Sequence, residues 1–123
     1  MPPSHFVILY VDQPRASAAF YAGLLGAPIL EAADTFAMLP LREGVMLGLW
    51  SRRTVQPAAE AAGGGGGELA FVQPDRDAVS ALHGAWAGRG VRILQAPAAM
   101  DFGFTFTALD PDGHRLRVFC PEG

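Results

Sequence analysis

The chain lacks the residues that several common kinds of site require. Its single cysteine, Cys120, excludes an internal disulfide and a zinc site made of several cysteines. No apolar run approaches the roughly 20 residues of a membrane-spanning helix, and residues 1–5 show neither the basic region nor the cleavage site of a signal peptide. The net charge is −3 and the sequence has no cluster of basic residues, so it predicts no positively charged surface for nucleic acid to bind. We therefore expect a soluble cytoplasmic protein with no nucleic-acid partner and no membrane partner.

Three familiar catalytic patterns are absent as well. The histidines have no spacing typical of a metal-ligand set; we expect His83 to be exposed on a helix and His114 to flank a turn. No nucleophile-elbow motif marks a Ser/His/Asp site. The run Gly63–Gly67 is followed by Glu68 and not by the Gly-Lys-Ser/Thr ending of a phosphate-binding loop. A run of glycines predicts a flexible linker.

The chain does contain one order of secondary-structure elements that occurs twice, once in each half. The first half predicts a strand, a helix and three strands, at 6–11, 15–25, 28–32, 35–39 and 45–50. The second half predicts a strand at 68–72, a helix opened by Pro74-Asp75, and strands at 90–94, 105–109 and 114–120. Apolar residues recur at helical spacing on both helices: Ala16, Phe20 and Leu24 on the first, Val79, Leu82 and Trp86 on the second.

A half of this kind cannot cover its own sheet with one helix. We therefore predict an α+β fold in which two βαβββ modules pair into a curved eight-stranded mixed sheet that encloses a cavity. The chain would be a single domain, with module one at about 1–55, a glycine-rich linker at 56–67 and module two at about 68–123.

The last hairpin, Asp101–Phe119, carries the strongest local signal. Its turn Asp110-Pro111-Asp112-Gly113 lies between two alternating runs, and Asp-Gly in that place is typical of a β-hairpin. Alternation puts Arg117 and Phe119 on one face of the last strand, with Leu116 and Val118 on the other.

Two motifs resemble those of a known superfamily. Ala19-Phe20-Tyr21-Ala22-Gly23-Leu24-Leu25-Gly26 and Asp110-Pro111-Asp112-Gly113-His114 are similar to the first-helix signature and the terminal turn of the vicinal oxygen chelate superfamily, which includes glyoxalase I, bleomycin-resistance proteins and extradiol dioxygenases. The segments 36–38, 45–51 and 101–106, together with Arg117, resemble its non-metal drug-binding resistance proteins of the phenazine-resistance type. One departure is Phe104, where those relatives tend to carry arginine. The resemblance also implies a homodimer with pockets at or near the subunit interface.

The same resemblance argues against a metal. Metal-dependent members draw one ligand from each of four strands, and the matching places here hold Phe6, the ligand-free run 46–50, Glu68 and Arg117. His5 is one residue out of register, which turns its side chain to the opposite face. A guanidinium is permanently charged and has only donors, so it cannot ligate a divalent cation. We expect no metal ligands and no cofactor.

The remaining feature is a set of aromatic and flexible apolar residues that would line the cavity. The predicted ligand-binding residues are Phe36, Met38, Trp50, Glu68, Phe102, Phe104 and Arg117. We expect Phe20, Trp86 and Phe106 to be core residues and Cys120 to be a packing or edge residue. Glu68 would face Arg117 across the cavity, as an ion pair or as a general base.

The function that the resemblance and these residues favour is metal-independent binding. The chain would sequester a small planar aromatic antibiotic or metabolite, with no catalytic residue involved. Two enzymatic alternatives stay open: a divalent-metal enzyme of the glyoxalase or dioxygenase type, and a metal-free lyase or isomerase that uses Glu68 as base. A third alternative is an interaction module whose own side chains fill the cavity.

Overall fold

The computed structural model describes residues 5–59 and 63–122 and divides the chain into two compact units, Met1–Ala62 and Gly63–Gly123. The middle of the predicted linker, 60–62, and residues 1–4 lie outside the described residues. Each unit has one helix and one four-stranded mixed sheet, so the predicted α+β class and the repeated βαβββ order are confirmed. The pairing of the two sheets around a common cavity, and their union in one domain, stay predictions.

The first unit has its strands in the order β1-β4-β3-β2. Its elements are β1 (His5–Val11), α1 (Pro14–Leu25), β2 (Glu31–Ala32), β3 (Phe36–Arg42) and β4 (Val45–Ser51). β1 and β4 are parallel, and β3 is antiparallel to both β4 and β2. The predicted strand at 28–32 is thus mostly wrong, since only its last two residues pair with β3.

The second unit repeats this order as β5-β8-β7-β6. Its elements are β5 (Glu68–Val72), α2 (Arg76–Gly88), β6 (Arg92–Met100), β7 (Gly103–Leu109) and β8 (Arg115–Pro121). The Asp75 carboxylate caps α2 by accepting from the Ala78 N–H at 2.8 Å. Neither helix is long and apolar enough to cross a membrane among the residues described.

The β7–β8 turn forms as predicted. The buried Asp110 carboxylate accepts from the N–H groups of Asp112 and His114, both at 2.8 Å, and the Gly113 N–H donates to the Asp110 carbonyl at 3.1 Å. Gly113 has φ 83°, a left-handed conformation that suits a residue without Cβ. This turn fixes the register of the two strands that carry Thr107 and Arg117.

Helix α1 buries a different face from the predicted one. Its buried residues are Pro14, Ser17, Ala18 and Tyr21, whereas Ala16 is exposed and Phe20 is half-buried. Phe20 packs edge-on against Tyr21, with ring centroids 5.2 Å apart. Small residues at 17 and 18 let the helix backbone approach the sheet closely, and this close approach decides which face is buried.

Helix α2 packs as the helical spacing predicts. Val79 and Trp86 are buried, and the Trp86 ring stands edge-on to Phe106 at 5.4 Å. His83 contradicts its prediction, because it is half-buried with its ring 5.2 Å from that of Phe106. Phe106 and Trp86 are thus core residues, as expected.

Candidate functional site

One face of each sheet is covered by its own helix; we call the other the open face. On the open face of the first unit, residues in register across the strands form two rows. One row runs Glu31, Met38, Gly48 and Ile8 across β2, β3, β4 and β1. The other runs Phe36, Trp50 and Tyr10 across β3, β4 and β1. Three predicted ligand-binding residues, Phe36, Met38 and Trp50, therefore share this open face.

Two of them, Phe36 and Trp50, border an open concavity of about 540 Å³, whereas Met38 is not among its lining residues. It is lined by Phe6, Ile8, Glu31, Thr35, Phe36 and Trp50. The Phe36 and Trp50 rings meet at 87° with centroids 6.2 Å apart, an edge-to-face pair. Phe6 and Ile8 are 46% and 43% exposed and line the same concavity as the Phe36 and Trp50 rings, and contiguous exposed apolar surface of this kind is typical of ligand-binding grooves.

Gly48 lies beneath one of the rings that line the concavity. A Cβ atom at this position would lie 3.0 Å from Cζ of Phe36 and 3.4 Å from Cγ1 of Ile8. The Phe36 ring therefore lies over the glycine, in space that any larger residue would take. Because β4 has no side chain here, the Phe36 ring can lie against the strand at the edge of the concavity.

The open face of the second unit is centred on an ion pair. Arg117 Nε donates to Glu68 Oε1 at 2.7 Å and Arg117 Nη2 donates to Glu68 Oε2 at 2.8 Å, a bidentate arrangement. The side chains are 18% and 31% exposed. The hydrogen bond from Arg117 holds the pKa of Glu68 below its ordinary value, and the same bond raises the pKa of Arg117.

The remaining terminal nitrogen of the Arg117 guanidinium, Nη1, hydrogen-bonds to polar neighbours. Arg117 Nη1 donates to the Thr105 hydroxyl at 3.3 Å and to Gln95 Oε1 at 3.5 Å, and Gln95 Oε1 also accepts from the Thr107 hydroxyl at 3.1 Å. The Arg117 fork is therefore occupied by groups of its own unit.

Aromatic rings border this ion pair on one side. The Arg117 guanidinium carbon lies 5.7 Å from the centre of the Phe102 ring, within cation–π range. Phe102 in turn stands edge-on to Phe119 at 5.7 Å. The structure therefore brings the predicted residues Phe102, Glu68 and Arg117 together.

Two expectations about this face are wrong. Glu68 and Arg117 lie on adjacent parallel strands, β5 and β8, and not across a cavity from each other. Phe104 lies on the helix-covered face, where the Arg76 guanidinium carbon is 4.6 Å from its ring centre. Residues i and i+2 of a strand share a face, so Phe104 must follow the buried Phe106.

The model of the Glyoxalase/Bleomycin resistance protein/Dioxygenase superfamily matches residues 3–118. The chain belongs to this superfamily. Its sequence is 26% identical to the phenazine antibiotic resistance protein EhpR of Enterobacter agglomerans over 117 residues, which cover 93% of this chain and 88% of that protein.

Two solved structures have folds similar to that of this chain. Protein ATC0852 from Agrobacterium tumefaciens is 50% identical, with a TM-score of 0.87 over 100% of this chain and 99% of that one. A glyoxalase-related enzyme from Fulvimarina pelagi is 21% identical, with a TM-score of 0.82 over 98% of this chain and 88% of its own. At that identity the second likeness concerns the fold alone.

The superfamily includes metal-dependent enzymes, but the donor set here does not fit a metal. Gly48 on β4 and Arg117 on β8 occupy matching positions, because each pairs with the two neighbouring strands of its sheet in the same register. The first unit therefore has no side chain at the position that corresponds to Arg117. Phe6 offers no donor atom, and both Glu68 oxygens already accept from Arg117. In the part of the chain that the structure describes, no group of three or more His, Cys, Asp or Glu residues could hold a metal ion.

Sequence reasoning missed several residues on the open faces of both units. Phe6, Ile8, Glu31 and Thr35 line the first concavity, while Gln95, Thr105 and Thr107 surround Arg117. Alternation along β7 could have found the two threonines, which have opposite parity to Phe106. Glu31 and Gln95 could not be found this way, because their places depend on the register between strands.

Proposed function

We propose that this superfamily member binds and sequesters a small planar aromatic compound without a metal, as an antibiotic-resistance type of binding protein. The observation that carries the proposal is the concavity of the first unit, which is lined by the rings of Phe6, Phe36 and Trp50. A ring system that enters it gains stacking worth about 0.5–1.5 kcal/mol per aromatic pair beyond burial. The similarity to EhpR, whose name states phenazine resistance, supports this class of ligand.

Phe36, Met38 and Trp50 would supply apolar contacts on the open face of the first unit. The second unit offers a surface of its own, in which Phe102 would supply a ring and the Glu68–Arg117 pair a polar contact of no net charge. Phe104 is not part of the proposal, because it lies on the other face of its sheet.

Two features favour binding over catalysis by Glu68. A general base works best when its pKa is near the working pH, but pairing with Arg117 moves the pKa of Glu68 further below neutrality. The lone pairs that would accept a proton already accept two hydrogen bonds from the guanidinium. Glu68 is therefore better suited to hold Arg117 in place than to abstract a proton.

A thermal-shift screen of metal-stripped protein, with chelator present throughout, tests the proposal. Phenazine, phenazine-1-carboxylate and simple quinones are suitable probes. A probe at one hundred times its dissociation constant adds about 2.7 kcal/mol of stability, which raises the melting temperature of a domain this size by about 10 °C. Shifts that appear only after nickel, zinc, manganese or iron is restored would contradict metal-independent binding, and loss of the probe on recovery would point to an enzyme.

The proposal has two further parts, a homodimer and a cytoplasmic location. The resemblance to the superfamily implies the homodimer, and the sequence alone predicts the location. Light scattering after size-exclusion chromatography tests the first, because a dimer would have twice the 13.0 kDa mass of the chain.

A further inference from the structure

We propose that the concavity of the first unit prefers an organic cation, such as an N-alkylated aromatic ring, with Glu31 as the residue that recognises its charge. This inference rests on the proposed binding function and adds the charge of the ligand to it. It follows from a comparison of matching rows in the two sheets.

Glu31 is the charged side chain that lines the aromatic concavity. It shares the concavity with three aromatic rings, those of Phe6, Phe36 and Trp50, and no Lys, Arg or His is among the lining residues. Within the described ranges, no cationic side chain forms an ion pair with Glu31. The carboxylates of Asp34, Glu68 and Glu122, by contrast, each pair with an arginine at 2.6–2.8 Å.

The corresponding row of residues in the second unit contains a cation, Arg117. Glu31, Met38 and Gly48 lie in register across β2, β3 and β4, as Gln95, Thr107 and Arg117 do across β6, β7 and β8. Arg117 reaches Gln95 Oε1 along its row at 3.5 Å.

The first unit has the opposite pattern of charge. The matching positions hold a carboxylate, Glu31, and a glycine, Gly48. Gly48 has no side chain where the second unit has a guanidinium, and the Phe36 ring lies over the glycine instead. The row of the first unit therefore has a carboxylate but no cation, and a cationic group of a ligand beside Glu31 would supply the missing positive charge.

The walls of the concavity suit the same charge. The faces of aromatic rings carry negative electrostatic potential, so they attract a cation that lies over them. The Glu31 carboxylate and the aromatic rings therefore both favour a positively charged ligand in the concavity. An anionic ligand would meet repulsion from Glu31 and would find no positive group among the lining residues.

Three probes with one ring skeleton and different charges test this inference. They are 10-methylacridinium (cationic), acridine (neutral at pH above about 7) and acridine-9-carboxylate, each titrated by fluorescence with chelator present. The wild-type chain should bind 10-methylacridinium about three- to tenfold more tightly than acridine and acridine-9-carboxylate most weakly. The preference should shrink as salt rises from about 0.02 to 0.5 M, because the carboxylate is exposed.

A matched pair of variants separates recognition by Glu31 from net charge. Glu31→Gln should remove most of the preference for 10-methylacridinium and leave acridine binding unchanged within about twofold. Glu43→Gln makes the same change of net charge in the exposed β3–β4 turn of the same unit, outside the concavity, and should bind like the wild type. Equal melting temperatures of the two variants would show that both are folded.

The outcomes are distinct for the two proposals. If acridine binds as tightly as 10-methylacridinium, or if Glu31→Gln and Glu43→Gln behave alike, the charge preference is wrong while ring binding survives. If none of the three probes binds to the folded chain, ring binding and the charge preference are both wrong.

Discussion

The two units share one topology but carry opposite chemistry at the centre of the open face. In the first unit the central position is Gly48, with Phe36 and Trp50 beside it. In the second unit the matching position is Arg117, with Thr105 and Phe119 at the places of that aromatic pair. The glycine is covered by the Phe36 ring beside an aromatic concavity, whereas the arginine fills the second face with an ion pair and hydrogen bonds.

The difference shows how a repeated fold divides its tasks. The backbone pairing is the same, so the scaffold does not require aromatic residues on one face or charged residues on the other. The helix-covered faces are apolar in both units, because each must bury its own helix. Differences between the open faces are therefore best explained by binding, and four changes of residue or pH can test them.

The largest effect is expected from removal of the Trp50 ring. Trp50→Ala should weaken binding of phenazine by about 2–3 kcal/mol, or roughly 30- to 150-fold, through lost stacking and lost apolar burial. Isothermal titration calorimetry measures this directly. Leu94→Ala is a suitable control, since it removes an exposed apolar side chain of the second unit, and it should leave the affinity unchanged.

The next largest effect is expected at Gly48, beneath the Phe36 ring. Gly48→Val should place methyl groups where the Phe36 ring lies and lower the free energy of unfolding by about 1–3 kcal/mol. Urea unfolding followed by circular dichroism measures it. Gly48→Ala makes the same contact with fewer atoms and should cost less. If Gly48→Val unfolds and binds as the wild type does, the Phe36 ring does not need this space.

A smaller effect is expected from the ion pair of the second unit. A double-mutant cycle with Arg117→Met and Glu68→Gln should give a coupling free energy of about 1 kcal/mol, at the upper end for a partly exposed pair because the contact is bidentate. Urea unfolding of the four proteins gives the value. Additive single effects would mean that the pair contributes nothing to the stability of this face.

The smallest effect is the loss of that coupling in acid. Arg117 lowers the folded-state pKa of Glu68 below its ordinary value of 4.5, so the contribution is complete above that pH and is lost as pH falls through the lowered pKa. The stability difference between wild type and Glu68→Gln should therefore be constant from about pH 7 to 5 and shrink below about pH 4. Unfolding curves across this range measure it, and a difference that grows in acid would contradict the assignment.

Periodicity predicted the second helix and the strands other than the one at 28–32, because each of those signals is local. The Asp110–Gly113 turn and the Val79–Trp86 spacing depend on residues close in sequence. The buried face of α1 was wrong because an interior alanine or serine carries almost no apolar signal, yet small size decides how closely the helix lies to the sheet.

The site was harder to predict because it depends on register. The Phe104 prediction conflicts with the parity that it shares with Phe106, and strand alternation alone could have corrected it. The match of Gly48 with Arg117, and of Glu31 with Gln95, appears only when hydrogen-bond pairing between strands is known. A single sequence does not contain that pairing.

The two tryptophans of the chain allow one measurement of the central claim, that the first unit binds a planar aromatic compound without a metal. Trp50 lies on the open face of the first unit and Trp86 in the core of the second. In ¹⁵N–¹H spectra of metal-stripped protein with chelator, phenazine should shift the Trp50 indole signal and leave that of Trp86 in place, with Trp50→Phe providing the assignment. A saturable shift of Trp50 alone is the result that we predict. Spectra in which Trp50 does not move at saturating phenazine, or moves only after a divalent metal is added, would contradict the claim.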